Sequence, residues 1–125
     1  MNSDKLSVRS RFGSFKFAFN GLLSLLKNEH NARIHLLAAI TALVLGLLLK
    51  INLHEWCFLI IVIGLVFLTE LINTSLETVG DIVDPEWNEK IRKAKDYAAA
   101  AVLISAIISV VAGGLIFIPR LLELF

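Results

Sequence analysis

The chain has 125 residues, of which 57% are hydrophobic, and its mean hydropathy is +0.77. Ordinary soluble domains are about 45–50% apolar, so this composition excludes that class and favours one membrane domain spanning residues 1–125. A net charge of +1 excludes the strongly basic surface that draws in nucleic acid. The single cysteine, Cys57, excludes an internal disulfide. Because charges recur through the first 16 residues, we expect no secretory signal peptide.

The first predicted element is an amphipathic helix over about residues 12–28. Its large apolar side chains recur at spacings of three and four, in the order Phe12, Phe15, Phe19, Leu22 and Leu26. A helix with one such stripe is typical of the membrane interface. A helix packed only against the other helices would explain the stripe equally well.

Three apolar stretches follow, and each predicts a transmembrane helix, since open strands leave backbone groups unsatisfied in lipid. The predicted spans are about 33–51, 55–80 and 95–119. Before the third span, Asp84 and Pro85 predict a helix start, with Asp84 as the N-cap and Pro85 in the first turn. That helix could run unbroken into the span. The predicted fold is an all-α membrane protein with a surface helix and three transmembrane helices.

Basic residues are concentrated in two segments of the chain. One precedes the first span and the other joins the second and third; they hold Lys5, Arg9, Arg11, Lys16, Lys27 and Arg33, and then Lys90, Arg92, Lys93 and Lys95. The positive-inside rule therefore predicts that the N-terminus and this second loop are cytoplasmic.

The second span carries polar side chains on one face, namely Glu70, Asn73, Glu77 and Asp81. A charge near the bilayer centre costs at least ~2.5 kcal/mol on insertion scales, so this face predicts a functional site. The helical rise places Glu70 about 10 Å deeper than Glu77. A desolvated Glu70 could act as a general base on a membrane-anchored hydroxyl. Carboxylates nearer water could hold Mg²⁺ together with phosphate oxygens.

Other polar residues allow simpler explanations. On spacing alone, an ion pair with Arg33 is the better explanation of Glu29. Asn73 is explained about as well by helix packing as by function. His35, at the inner edge of the first span, is interpreted as an interfacial residue, whereas Lys95 beside Asp96 could contact phosphate as a point charge.

No phosphate-binding loop of the GxxxxGK[ST] type occurs in the sequence. The residues alone therefore leave the reaction open. Besides phosphoryl transfer to a membrane lipid, they fit a small ion- or proton-coupled transport subunit in which Glu70 is a relay, or a structural membrane protein.

Three segments nevertheless resemble, in order and spacing, the motifs of the prokaryotic diacylglycerol kinase and undecaprenol kinase family. They are NEHNARIH (28–35), ELINTSLETVGD (70–81) and KAKDYAAAAVL (93–103). The resemblance runs from about Phe12 to Pro119. It implies a bacterial inner-membrane enzyme that phosphorylates a lipid alcohol with MgATP at the cytoplasmic interface, assembled as a homotrimer with shared sites. The NARIH wording is closer to the undecaprenol kinase branch, so undecaprenol is the expected acceptor and diacylglycerol the alternative.

The resemblance also implies roles for individual residues. Glu70 matches the catalytic base, and Glu29 and Glu77 match the carboxylates that bind the metal, which replaces the ion-pair explanation of Glu29. The residues implied to contact the nucleotide are Glu29, Glu77, Glu86, Trp87, Asn88, Lys95, Asp96 and Phe17. The residues implied on the lipid side are Glu70, Asn73 and Ala99, with Asp81 as a supporting polar group.

Two positions of the surface helix depart from the pattern. Some family members carry an arginine and a tyrosine where this chain has Ser10 and Phe17. A neighbouring Arg9 or Arg11 would therefore have to supply the missing contact with the nucleotide.

Overall fold

The computed structural model describes residues 8–125, so Lys5 lies outside the described residues. Four helices follow one another along the chain: α1 (Val8–Asn28), α2 (His30–Leu48), α3 (Leu53–Val83) and α4 (Glu89–Leu122). The last three are long and apolar enough to cross a membrane. The predicted all-α fold, with three spanning helices, is thereby confirmed, and no strand occurs in residues 8–125.

Helix α1 contacts the rest of the chain mainly near its C-terminal end. Leu25 is buried there, whereas Phe12, Phe15 and Phe19 are all exposed. Packing against the other helices therefore does not explain these phenylalanines within a single chain. Their exposure leaves them free to insert among lipids, as an interfacial helix does.

A single residue, Glu29, separates α1 from α2. Its backbone is extended, with φ −106° and ψ 115°, and it occupies the N-cap position of α2. Its side chain makes no capping hydrogen bond. The Glu29 carboxylate therefore remains available for other contacts, although the residue is the N-cap of α2.

The turn between α2 and α3 is tied to the end of α4. Asn52 and Glu55 form a capping box at the start of α3, in which the Glu55 N–H donates to Asn52 Oδ1 at 2.9 Å and the Asn52 N–H donates to Glu55 Oε1 at 3.1 Å. Arg120 of α4 forms an ion pair with Glu55 and donates to the Lys50 carbonyl at 3.3 Å. These contacts close one end of the three-helix bundle.

Gly46 lets the aromatic ring of Trp56 pack directly on α2 at this same end. A Cβ placed on Gly46 would lie 2.8 Å from Trp56 Cη2, which is too close for a real contact, and 3.1 Å from Ile51 Cδ1, which is tighter than usual. We therefore expect Gly46→Val to lower the free energy of unfolding by about 1–3 kcal/mol through overpacking. Thermal unfolding in a fixed detergent measures this change.

The matched control for this stability test is Gly64→Val. Gly64 lies within α3, and a Cβ there would meet no atom within 4 Å. Both variants carry the same change in helix propensity, so their difference isolates the steric effect. Equal melting temperatures for the two variants would contradict the close packing of Trp56 on Gly46.

Helices α3 and α4 make the most extensive contact in the chain. Near its middle, Thr69 Oγ1 and Ser105 Oγ share a hydrogen bond of 2.8 Å, and Ser105 is almost fully buried. Toward the other end, Gly80 lets α4 approach, because a Cβ there would lie 3.0 Å from Lys95 Cε and 3.1 Å from Ile91 Cγ2. Small and hydroxyl-bearing residues therefore set the spacing of the two longest helices.

The predicted helix start at Asp84 is wrong. Asp84 instead ends α3 as its C-cap, and its carboxylate accepts hydrogen bonds from the Glu86 N–H at 3.1 Å and from Asn88 Nδ2 at 3.2 Å. Pro85 explains the ending, because a residue before proline is driven out of the helical region, and Asp84 is extended at φ −145° and ψ 98°. Asn88 caps α4, which then runs unbroken through the third span, as expected.

Candidate active site on the polar face of α3

The acidic face of α3 runs from a buried end to an exposed end. Glu70 is 3% exposed, Asn73 is half-buried, and Glu77 and Asp81 are exposed. The side chains therefore become more exposed along the helix axis from Glu70 to Asp81. One helix face offers a desolvated carboxylate and, about 10 Å away along the axis, solvated ones.

The buried end pairs Glu70 with a histidine of α2. Glu70 Oε1 lies 3.2 Å from His35 Nε2, at ion-pairing distance but without the alignment of a hydrogen bond. Oε1 accepts no hydrogen bond from any described residue, and neither does the buried Oδ1 of Asn73. An unsatisfied buried polar atom costs about 1–3 kcal/mol, so two of them close together in sequence indicate a place for a polar ligand atom.

His35 was interpreted from the sequence as an interfacial residue, and that interpretation missed its contact with Glu70. Its side chain is only 22% exposed. The spacing of small residues indicates only the buried face of α2, because Ala32, Ala39 and Gly46 recur every seven residues and all three are buried. His35 falls on this face of small residues, which is the face that α2 turns toward its neighbours.

An apolar groove begins at His35 and follows the same face of α2. It has a volume of about 160 Å³ and lies between α2, α3 and α4. Alanines at positions 38, 39 and 42 line one wall, and Ser109 and Gly113 of α4 line another. The small side chains leave space for a hydrocarbon chain next to the buried end of the acidic face.

The exposed end holds a more polar cleft of about 380 Å³. It is formed by the connection between α3 and α4 and by the first turns of α4, and its lining includes Asp81, Glu86, Trp87, Asn88 and Lys95. The stem of Lys95 crosses Gly80, and its ammonium forms an ion pair with Asp81. The structure therefore brings together four of the residues predicted to contact the nucleotide.

Asp96 is joined to this cleft through Arg92. Arg92 also lines the cleft, and its Nη1 donates a hydrogen bond of 3.1 Å to Asp96 Oδ2. The two side chains form an exposed ion pair within α4. Phe17 of α1 and Ala99 of α4, by contrast, are exposed and do not line the cleft.

The two predicted metal-binding carboxylates occupy different environments. Glu29 is half-buried and borders a groove between α1 and α3 that is also lined by Thr74 and Thr78. Glu77 is exposed on the turn of α3 between those threonines. Within residues 8–125, no three acidic, histidine or cysteine side chains gather closely enough to hold a metal by themselves.

These features define a multi-pass membrane protein with a desolvated carboxylate beside an apolar groove and a lysine-containing cleft nearer water. The family model of the prokaryotic diacylglycerol kinases matches residues 16–117. The chain belongs to the prokaryotic diacylglycerol kinase family, and it is a lipid kinase that uses ATP as the phosphoryl donor.

Named relatives match over most of the chain. An undecaprenol kinase of Bacillus subtilis (strain 168) is 36% identical over 110 residues, which cover 88% of this chain and 89% of the relative. Diacylglycerol kinases of Haemophilus influenzae and Escherichia coli (strain K12) are 34% identical over 105 residues and 32% identical over 95 residues. The first alignment covers 83% of this chain and 89% of the relative, and the second covers 76% and 78%.

Proposed function

We propose that this kinase transfers the γ-phosphoryl group of ATP to the hydroxyl of undecaprenol, at the cytoplasmic face of the bacterial inner membrane. The observation that carries the proposal is the buried Glu70, which lies beside an apolar groove and on the same helix face as the polar cleft of Lys95. The undecaprenol kinase relative supports this acceptor. Diacylglycerol is the alternative acceptor, because other relatives are named for it.

Glu70 is proposed as the general base. The hydroxyl proton of the lipid passes to the Glu70 carboxylate, and the lipid oxygen forms a bond to the γ-phosphorus. The bond between that phosphorus and the β,γ-bridging oxygen breaks, and ADP leaves with the electron pair. Burial suits this role, because few groups other than a bound acceptor can reach the carboxylate.

The cleft at the exposed end is proposed to hold the nucleotide. Lys95 would meet the γ-phosphate as a point charge, and Asp81 keeps its ammonium in place until then. Trp87 and the polar residues around it, Glu86 and Asn88, would cover the nucleotide from the connection between α3 and α4. Little covalent chemistry is required of the protein, since phosphoryl transfer depends mainly on positioning and charge neutralisation.

Glu29 and Glu77 are proposed to bind Mg²⁺ together with ATP. Their chemistry fits, because Mg²⁺ binds one or two carboxylates and takes its remaining ligands from phosphate and water. When bound, Mg²⁺ would neutralise charge on the phosphate oxygens.

We also propose that the kinase is a homotrimer with shared sites and a cytoplasmic N-terminus. The basic N-terminal helix and the basic first turns of α4 support that orientation. Exposed acidic residues on the spanning helices, Glu77 and Asp96 among them, support shared sites, since another chain could complete their surroundings.

A choice of acceptors tests the proposed function. Purified protein in bilayer nanodiscs receives radiolabelled ATP and Mg²⁺, with undecaprenol and diacylglycerol present in equal amounts. We expect the label to appear mainly in undecaprenyl phosphate, as measured by thin-layer chromatography of the extracted lipids. Nanodiscs without either alcohol provide the blank. Label in phosphatidic acid alone would move the assignment to diacylglycerol, and label in neither lipid would refute the proposed function.

A further inference from the structure

We propose that His35 is a positioning residue, which holds the Glu70 carboxylate in the orientation needed to receive the proton of the lipid. This inference rests on the proposed role of Glu70 as the base. Its basis is the distance of 3.2 Å between His35 Nε2 and Glu70 Oε1 at the junction of the apolar groove and the acidic face. Among the described residues, no other side chain forms an ion pair with Glu70.

The packing of α2 explains how the histidine reaches this carboxylate. Ala32 and Ala39, one turn to either side of His35, are buried and have almost no side chain. They let α2 approach its neighbours at this level. The imidazole of His35, which is 22% exposed, lies on the same face and reaches Glu70.

A free glutamate would be a poorly placed base. Its side chain has several rotamers, and only some of them would present the carboxylate to the acceptor. The contact with His35 at Oε1 limits those rotamers, and the carboxylate keeps acceptor sites for the hydroxyl of the lipid. Since His35 also begins the apolar groove, a lipid whose chain follows that groove would bring its hydroxyl to the same junction.

The first test compares turnover in three purified variants in nanodiscs. We expect His35→Ala to lower kcat about 10- to 100-fold, because displacement of a reacting group by about 1 Å can cost 10²-fold. The KM for ATP should change little, since the nucleotide cleft does not include His35. His35→Gln should recover much of the loss, because its amide group can take the place of the imidazole beside Oε1. His54→Ala, an exposed histidine in the first turn of α3, should match the unmodified chain.

The second test does not depend on activity. The chain has only three histidines, so ¹⁵N-labelled ring resonances can be assigned by the substitutions above. We expect Glu70→Gln to shift the ring-nitrogen resonance of His35, and Glu77→Gln to leave it in place. This measurement still tests the contact between His35 and Glu70 if His35→Ala fails to fold.

The possible outcomes separate this inference from the proposed function. Normal kcat in His35→Ala, or a His35 resonance that does not respond to Glu70→Gln, would overturn the positioning role while leaving Glu70 as the base. Normal turnover in Glu70→Gln would instead remove the base itself. A loss in His35→Ala that appeared only in the KM for ATP would also contradict the inference.

Discussion

Replacing Glu70 with glutamine is expected to lower the turnover number by about 10³- to 10⁴-fold, which is the upper part of the range contributed by general acid–base catalysis. Glutamine keeps the size and polarity of the side chain but cannot take the proton of the lipid hydroxyl. ATP binding should persist, because the cleft proposed to hold the nucleotide begins at Asp81, about three helical turns along α3 from Glu70. Single-turnover transfer of labelled phosphate and equilibrium binding of ATP measure the two properties separately.

A carboxylate far from the acidic face provides the matched control for this substitution. Glu123 is exposed at the C-terminal end of α4, so Glu123→Gln makes the same chemical change without touching the site. Its turnover should equal that of the unmodified chain. Near-normal turnover in Glu70→Gln would require another group to accept the proton, and would leave the burial of Glu70 without a catalytic explanation.

The second large effect is expected for Lys95→Met. We expect kcat/KM for ATP to fall about 10²-fold, as when one preorganised charge-stabilising donor is removed from an active site. Two causes would act together: the γ-phosphate would lose its proposed cation, and Asp81 would be left as an uncompensated negative charge in the same cleft. Steady-state kinetics with varied ATP at a saturating lipid concentration measure the loss.

Lys93 offers the control for charge, because it is exposed and lies two residues earlier in α4. Lys93→Met should change kcat/KM for ATP by less than about 3-fold, since exposed charges interact weakly through water. Equal losses in both lysine variants would contradict a specific role for Lys95.

Co-assembly of Lys95→Met chains with Glu70→Gln chains tests the proposed trimer. Recovered activity would support sites shared between chains.

The helices could be predicted from the sequence because each carries its own signal. Apolar length indicates a span, and a period of 3.6 residues places Glu70, Asn73, Glu77 and Asp81 on one face, whatever the neighbouring helices do. The end of α3 was predicted less well, since Asp84 can act as a cap for either helix. Pro85 and Asn88 together determine that Asp84 ends α3, and their joint effect depends on the conformation of the connection between α3 and α4.

The contacts between helices could not be predicted in the same way. The pairing of His35 with Glu70, and of Lys95 with Asp81, depends on how far each helix is rotated and shifted against its neighbour. Those two quantities are set by the small residues at the helix contacts, such as Ala39 and Gly80, rather than by any local pattern around the charged residues. For that reason His35 resembled an ordinary interfacial residue until its partner was known.

The one-residue connection between α1 and α2 has a mechanical consequence. Hydrogen bonds from the Glu29 N–H to the Leu25 carbonyl at 2.9 Å, and from the Arg33 N–H to the Glu29 carbonyl at 3.4 Å, join this residue to both helices. A displacement of α1 would therefore move Glu29 with it. The depth of the α1 phenylalanines in the membrane interface would then affect the position of one proposed metal ligand.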